Sequence, residues 1–144
     1  MVLVKKAGSV RTVDETLFRF LVELEVAKAQ RLGYCVSVIS ITVDSLSATE
    51  DLDRFAEGFA DRIRSTDTIA PCLGSSWVLL LVDAQPRDLS SIVRRLTEQL
   101  GPVPWSARGA SYPRTAVGAE DLLRQAFEFA ARAEEDSRLQ QYLR

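Results

Sequence analysis

The chain has no histidine at all. That removes the side chain best suited to general-base work near neutral pH, and the commonest transition-metal ligand. Cysteine is nearly as scarce. Cys35 and Cys72 are the two present, and both lie in or beside apolar runs. They read as buried free thiols rather than a disulfide, which suits a reducing cytoplasm. Charge of one sign is also lacking: 18 Lys and Arg against 20 Asp and Glu leave a net charge of −2. Nothing in that balance predicts a nucleic-acid partner. No apolar run approaches the roughly 20 residues needed to span a bilayer. The start, Met1-Val-Leu-Val-Lys-Lys, lacks the apolar core and small-residue cleavage site of a signal peptide. The expectation is a cytoplasmic chain without membrane insertion.

What is present fits one ordinary domain. The 144 residues are 47% apolar and 26% charged, enough to bury a core. Residues 1–11 are short, basic and without periodicity, and are expected to form a flexible arm. Residues 12–144 are expected to form a single domain, with no internal repeat and no linker.

Apolar periodicity then sets the order of elements. Asp14 to Leu32 carries Leu17, Phe18, Leu21, Val22, Ala29 and Leu32 at helical spacing, with Gly33 as a stop signal. Tyr34 to Asp44 is rich in β-branched residues and reads as an interior strand. Asp51 to Arg64 places Leu52, Phe55, Phe59 and Ile63 on one helical stripe. Arg87 to Leu100 is a further helix, ended by Gly101-Pro102. Val103 to Ser111 reads as a last strand, less apolar and expected nearer an edge, and Ala119 to about Tyr142 as a closing helix.

Between these lies R-S-T-D-T-I-A-P-C-L-G-S-S-W-V-L-L-L-V-D, Arg64 to Asp83. Thr68 to Cys72 and Trp77 to Val82 are apolar runs split by the small-residue turn Leu73-Gly74-Ser75-Ser76, the pattern of a β-hairpin. The second run is apolar throughout, so both of its faces should be covered. Strands interleaved with helices, plus one hairpin, predict an α/β fold with a mixed central sheet of about five strands wrapped by helices.

This stretch resembles the signature hairpin of GGDEF domains, the bacterial diguanylate cyclase family. In that family R-x-x-D is followed by five residues, then G-G-D/E-E-F and an apolar strand. Here Arg64-x-x-Asp67 is followed by five residues, Thr68 to Cys72, and the signature falls on Leu73-Gly74-Ser75-Ser76-Trp77. The likeness extends over about residues 14–138. Phe18 and Glu25 match the opening helix, Val36 to Asp44 the first strand, Ala110-Ser111-Tyr112-Pro113 the A-x-Y-P run, and Leu122 through Ala133 the closing helix.

The departures matter more. The resemblance implies phosphoryl transfer from GTP, which needs carboxylates to hold Mg²⁺ against phosphates. The family's first metal-binding Asp falls on Thr42, and only the second survives, as Asp44. Both signature acids have become serine, Ser75 and Ser76. The Asn-Asp pair for guanine has no counterpart in Ser45 to Asp53, a shortened loop. The phosphate-contacting Lys falls on Glu134, a reversal of charge. The expectation is a pseudoenzyme without diguanylate cyclase activity, with no catalytic residue, no metal and no cofactor.

What the resemblance leaves is binding. R-x-x-D marks the family's product-inhibition site, so cyclic di-GMP is expected at Arg64 and Asp67 with an Arg from the next helix, Arg95 or Arg94. Arg can pair bidentately with phosphate or stack on guanine, and Asp can accept from the guanine edge. The competing reading makes Arg64 and Asp67 a solvated helix end. The functional expectation is a cyclic di-GMP-responsive receptor or signalling module. The alternative is a nucleotide-independent interaction domain that regulates a partner. A chain this short leaves no room for a sensor or output domain, so either reading calls for a separate partner protein, and a homodimer stays open. Trp77 reads as core, and Ser75 and Ser76 as turn residues. Asp44 with Asp83 reads as solvated strand ends rather than a cation site, and Trp105 as either packing or a partner surface.

Overall fold

The computed structural model describes residues 12–44 and 51–143. The expected arm at 1–11 and most of the Ser45–Asp53 loop lie outside them. The first helix, α1, runs Glu15–Leu32. Asp14 caps it by accepting the Leu17 N–H at 2.9 Å. Gly33 ends it at φ 81°, where its N–H reaches the Ala29 carbonyl at 2.8 Å. Strand β1, Val36–Val43, is buried at every position, and α2, Leu52–Arg62, follows. The hairpin is β2, Thr68–Pro71, and β3, Ser76–Val82. Helix α3, Leu89–Thr97, is flanked by single 3₁₀ turns at Pro86–Asp88 and Glu98–Leu100, so the expected Arg87–Leu100 helix is α-helical only in its middle. Strand β4, Trp105–Tyr112, and helix α4, Ala119–Leu143, complete the chain.

The strands form one sheet in the order β2-β3-β1-β4, and every neighbouring pair is antiparallel. Among the described residues the sheet therefore has four strands where about five were expected. The single parallel element is a bridge from Thr12 to Ile69 on the outer side of β2. There the Val13 N–H reaches the Ile69 carbonyl at 2.9 Å. Alternation along β1 divides the core. Val36 and Val38 join Phe18, Val22, Val26, Ala29, Leu122 and Ala126 on the α1/α4 face. Ile39, Ile41 and Val43 join Phe55, Phe59, Trp77, Leu79 and Leu96 on the α2/α3 face. The α1 stripe differs slightly from expectation: Val26 is in the core, while Leu32 is 69% exposed at the helix end. Among the described residues no helix is long and apolar enough to cross a membrane.

Candidate functional site

The signature turn sits at one end of the β2–β3 hairpin. Cys72 donates its N–H to the Ser76 carbonyl, and Ser76 donates its own to the Leu73 carbonyl, each at 2.9 Å. The turn passes through Gly74 at φ 50°, a conformation that costs other residues about 1 kcal/mol or more. Leu73 is exposed, whereas Ser75, Ser76 and Trp77 are buried. Trp77 packs edge-on against Phe59 with ring centroids 5.2 Å apart, on the face of the sheet away from the turn's hydroxyls. The Cys72 thiol has its pKa pushed up, chiefly by burial, which disfavours the thiolate.

Register places Thr42 of β1 directly opposite Ser76 of β3, and their hydroxyls are 2.6 Å apart. Helix α4 closes over this pair and delivers Glu134, which is 6% exposed. Its Oε2 accepts the Ser75 N–H at 2.8 Å and the Ser76 hydroxyl at 2.7 Å, with the Ser75 hydroxyl 3.3 Å away. The Ser75 hydroxyl donates to the Val43 carbonyl at 2.5 Å. A Cβ on Gly74 would stand 2.7 Å from Glu134 Oε1. A carboxylate buried in this way must be matched by donors, and the two serines and the turn backbone supply them. The residue expected to repel phosphate is thus built into the turn.

This donor set does not fit a divalent cation. Thr42, Ser75 and Ser76 offer neutral hydroxyls, and the one carboxylate among them is already engaged by its own donors. Among the described residues no group of three acidic, cysteine or histidine side chains converges anywhere. Asp44 and Asp83 cannot share an ion either. Asp44 follows β1 and Asp83 follows antiparallel β3, so they lie at opposite ends of the sheet.

The R-x-x-D pair lies at the other end of the hairpin, and the structure brings its two members together. Arg64 Nε and Nη2 contact the Asp67 carboxylate at 3.0 and 3.2 Å, a bidentate pairing. The Arg64 N–H donates to the same carboxylate at 3.1 Å, and the Val82 N–H at 3.0 Å. Arg64 Nη2 also reaches the Val82 carbonyl at 2.5 Å. Asp67 is 3% exposed and Arg64 53%. Asp67 is therefore a buried clamp between the end of α2 and the end of β3, and is not presented to a guanine edge. Arg64 keeps an exposed face. Arg95 is exposed on α3, which packs against α2, while Arg94 lines a cleft beside β4.

Nothing local in the sequence signals that Glu134 meets the turn or that Val82 meets Asp67. Those contacts join residues 59 and 15 positions apart. The one available signal was the charge reversal at Glu134 next to two new hydroxyl residues, since donors and an acceptor arrived together.

No family model matches the sequence, and no curated protein matches it. Similar solved structures are numerous. The FimX GGDEF domain from Pseudomonas aeruginosa superimposes with a TM-score of 0.73 at 15% identity, covering 94% of this chain and 96% of that one. The active GGEEF domain of a diguanylate cyclase from Vibrio cholerae gives 0.70 at 16% identity, covering 85% and 91%. A microbial GGDEF domain described in a novel interaction mode with bis-(3,5)-cyclic di-GMP gives 0.64 at 20% identity, covering 89% and 88%. Likeness of this extent at such low identity is likeness of architecture, and the fold of this chain is the GGDEF-domain fold.

Proposed function

We propose that this is a catalytically inactive GGDEF-fold module that binds a signal rather than making one. The observation that carries the reading is Glu134 inside the signature turn. Phosphoryl transfer needs cations and positive side chains around the phosphates. Here a buried carboxylate takes that position, held by Ser75 and Ser76. Cyclic di-GMP is the first ligand to test, with Arg64 and Arg95 supplying its phosphate or stacking contacts. Asp67 then acts by holding Arg64 in place rather than by touching the base. The similar fold of a GGDEF domain described with cyclic di-GMP supports this choice.

Calorimetry with cyclic di-GMP on the wild-type chain and on Arg64→Ala tests it. Micromolar binding that the substitution weakens at least about tenfold supports the receptor. Absence of heat at millimolar ligand removes it. Formation of cyclic di-GMP from GTP and Mg²⁺ would overturn the inactive reading itself. A second reading, a nucleotide-independent interaction domain, is favoured by one observation: the oxygens of Asp67 are already taken by Arg64 and Val82.

A further inference from the structure

The outer side of β4 carries a defined set of hydrogen-bonding groups. Asp44 donates its N–H to the Pro104 carbonyl at 2.9 Å, which fixes the phase of the β1–β4 ladder. In an antiparallel pair, alternate residues turn both backbone groups toward the partner strand. Ser106, Arg108, Ala110 and Tyr112 therefore face β1, while Trp105, Ala107, Gly109 and Ser111 face away. Ser111 is closed off internally: its N–H reaches Thr115 Oγ1 at 2.8 Å, and its carbonyl accepts the N–H of Thr115 at 2.7 Å and of Ala116 at 3.0 Å. Among the described residues nothing meets the outward N–H and C=O of Trp105, Ala107 or Gly109. An edge left in this state is a template for another strand.

The two faces beside this edge differ in chemistry. On the α3 side, Ala107 borders an apolar cleft of about 460 Å³ walled by Ile39, Leu89 and Val93. On the α4 side, Arg108 lies over the Phe129 ring at 4.4 Å, at a cleft of about 550 Å³ that also holds Arg132 and Trp105. Asp44 and Asp136 line that cleft too, but the strand position next to the open edge is Arg108. Its guanidinium has no carboxylate partner among the described residues.

We infer that the β4 edge receives an extended segment of a partner protein as an added strand, with an acidic side chain facing Arg108 and apolar side chains on either side of it in sequence. Successive residues of an added strand point to opposite faces. Those beside Ala107 and Gly109 enter the apolar cleft, and the one between them meets Arg108 as a cross-strand pair. Two other occupants fit less well. Residues 1–11 carry Lys5, Lys6 and Arg11, the wrong sign for Arg108. A second copy paired antiparallel about Ala107 would set Arg108 against Ser106 and leave the guanidinium unpaired.

The probes are synthetic peptides of about seven residues, enough to span the edge: one alternating Glu and Val, one alternating Lys and Val, and a Glu-Val peptide N-methylated at alternate residues. Binding is read by calorimetry and by Trp105 emission, with Trp105→Phe as the spectroscopic control. The Glu-Val peptide should bind at least about tenfold more tightly than the Lys-Val peptide. N-methylation on the edge-facing side should abolish binding. Ala107→Pro should do the same without lowering the melting temperature, because the proline removes only an outward N–H. Arg108→Glu should reverse the peptide preference. Failure of the Glu-Val peptide to bind at millimolar concentration, or binding indifferent to N-methylation, overturns the inference. So does a concentration-dependent dimer that Ala107→Pro dissolves. None of these readouts depends on cyclic di-GMP, so failure here is separable from failure of the receptor reading.

Discussion

Glu134 accepts the Ser76 hydroxyl at 2.7 Å and the Ser75 N–H at 2.8 Å, tying the last helix to the hairpin turn across the whole domain. Removing the acceptor leaves buried donors without partners. Glu134→Ala should therefore cost about 2–3 kcal/mol in denaturant unfolding, and Glu134→Gln, which keeps an acceptor, about 1 kcal/mol. Equal losses for the two would show that packing, not the hydrogen bonds, is what α4 contributes here.

Gly74 and Glu134 should be energetically coupled. A methyl group at Gly74 meets Glu134 Oε1 at 2.7 Å on a backbone already at φ 50°. Gly74→Ala alone carries both the backbone strain and the displacement of the carboxylate. In the double variant with Glu134→Ala the second penalty is already spent. A double-mutant cycle should give a coupling of about 1 kcal/mol, and simple additivity would count against the contact.

Asp67 and Arg64 should respond unequally although they form one ion pair. Asp67→Ala strands the part-buried Val82 N–H and removes the buried carboxylate that holds Arg64, and should cost about 2–4 kcal/mol. Arg64→Ala leaves Asp67 with the Val82 and Arg64 backbone donors and removes a half-exposed partner, so it should cost under about 1 kcal/mol. Thermal melts of both variants check the ratio. This asymmetry makes Arg64→Ala a clean probe of ligand binding and Asp67→Ala a poor one.

Tyr34 supplies a pH signature away from both sites. Burial, followed by the hydrogen bond to Glu25, pushes its hydroxyl from 10.0 up to about 12. The fold favours the neutral phenol. Its contribution to stability is present in full below pH 10 and is lost as pH rises through about 12. Absorbance titration should show one tyrosinate forming near pH 12, and Tyr34→Phe should abolish that step.

The architecture was largely legible because its signals are local. Gly33, the Leu73–Ser76 turn and the stripe Leu52, Phe55, Phe59, Ile63 each act within a few residues, and each marks an element or boundary that the structure contains. The site was legible only in outline. Ser75 and Ser76 announced that the acids had gone. That Glu134 would answer them, and that Val82 would spend an oxygen of Asp67, depends on which elements meet after the chain has folded. The border position of β4 was legible, because Val103 to Ser111 is less apolar than the other strands, and the sheet order puts it at an edge. Which of its residues turn their backbone outward depends on the register with β1.

The opposite border has its own consequence. Val13 takes up the Ile69 carbonyl, and Pro71, the other outward residue of β2, has no N–H to offer. Among the described residues the β2 side thus offers an added strand fewer free groups than the β4 side. A strand added at β4 has no matching acceptor at the far border, which works against end-to-end stacking of copies.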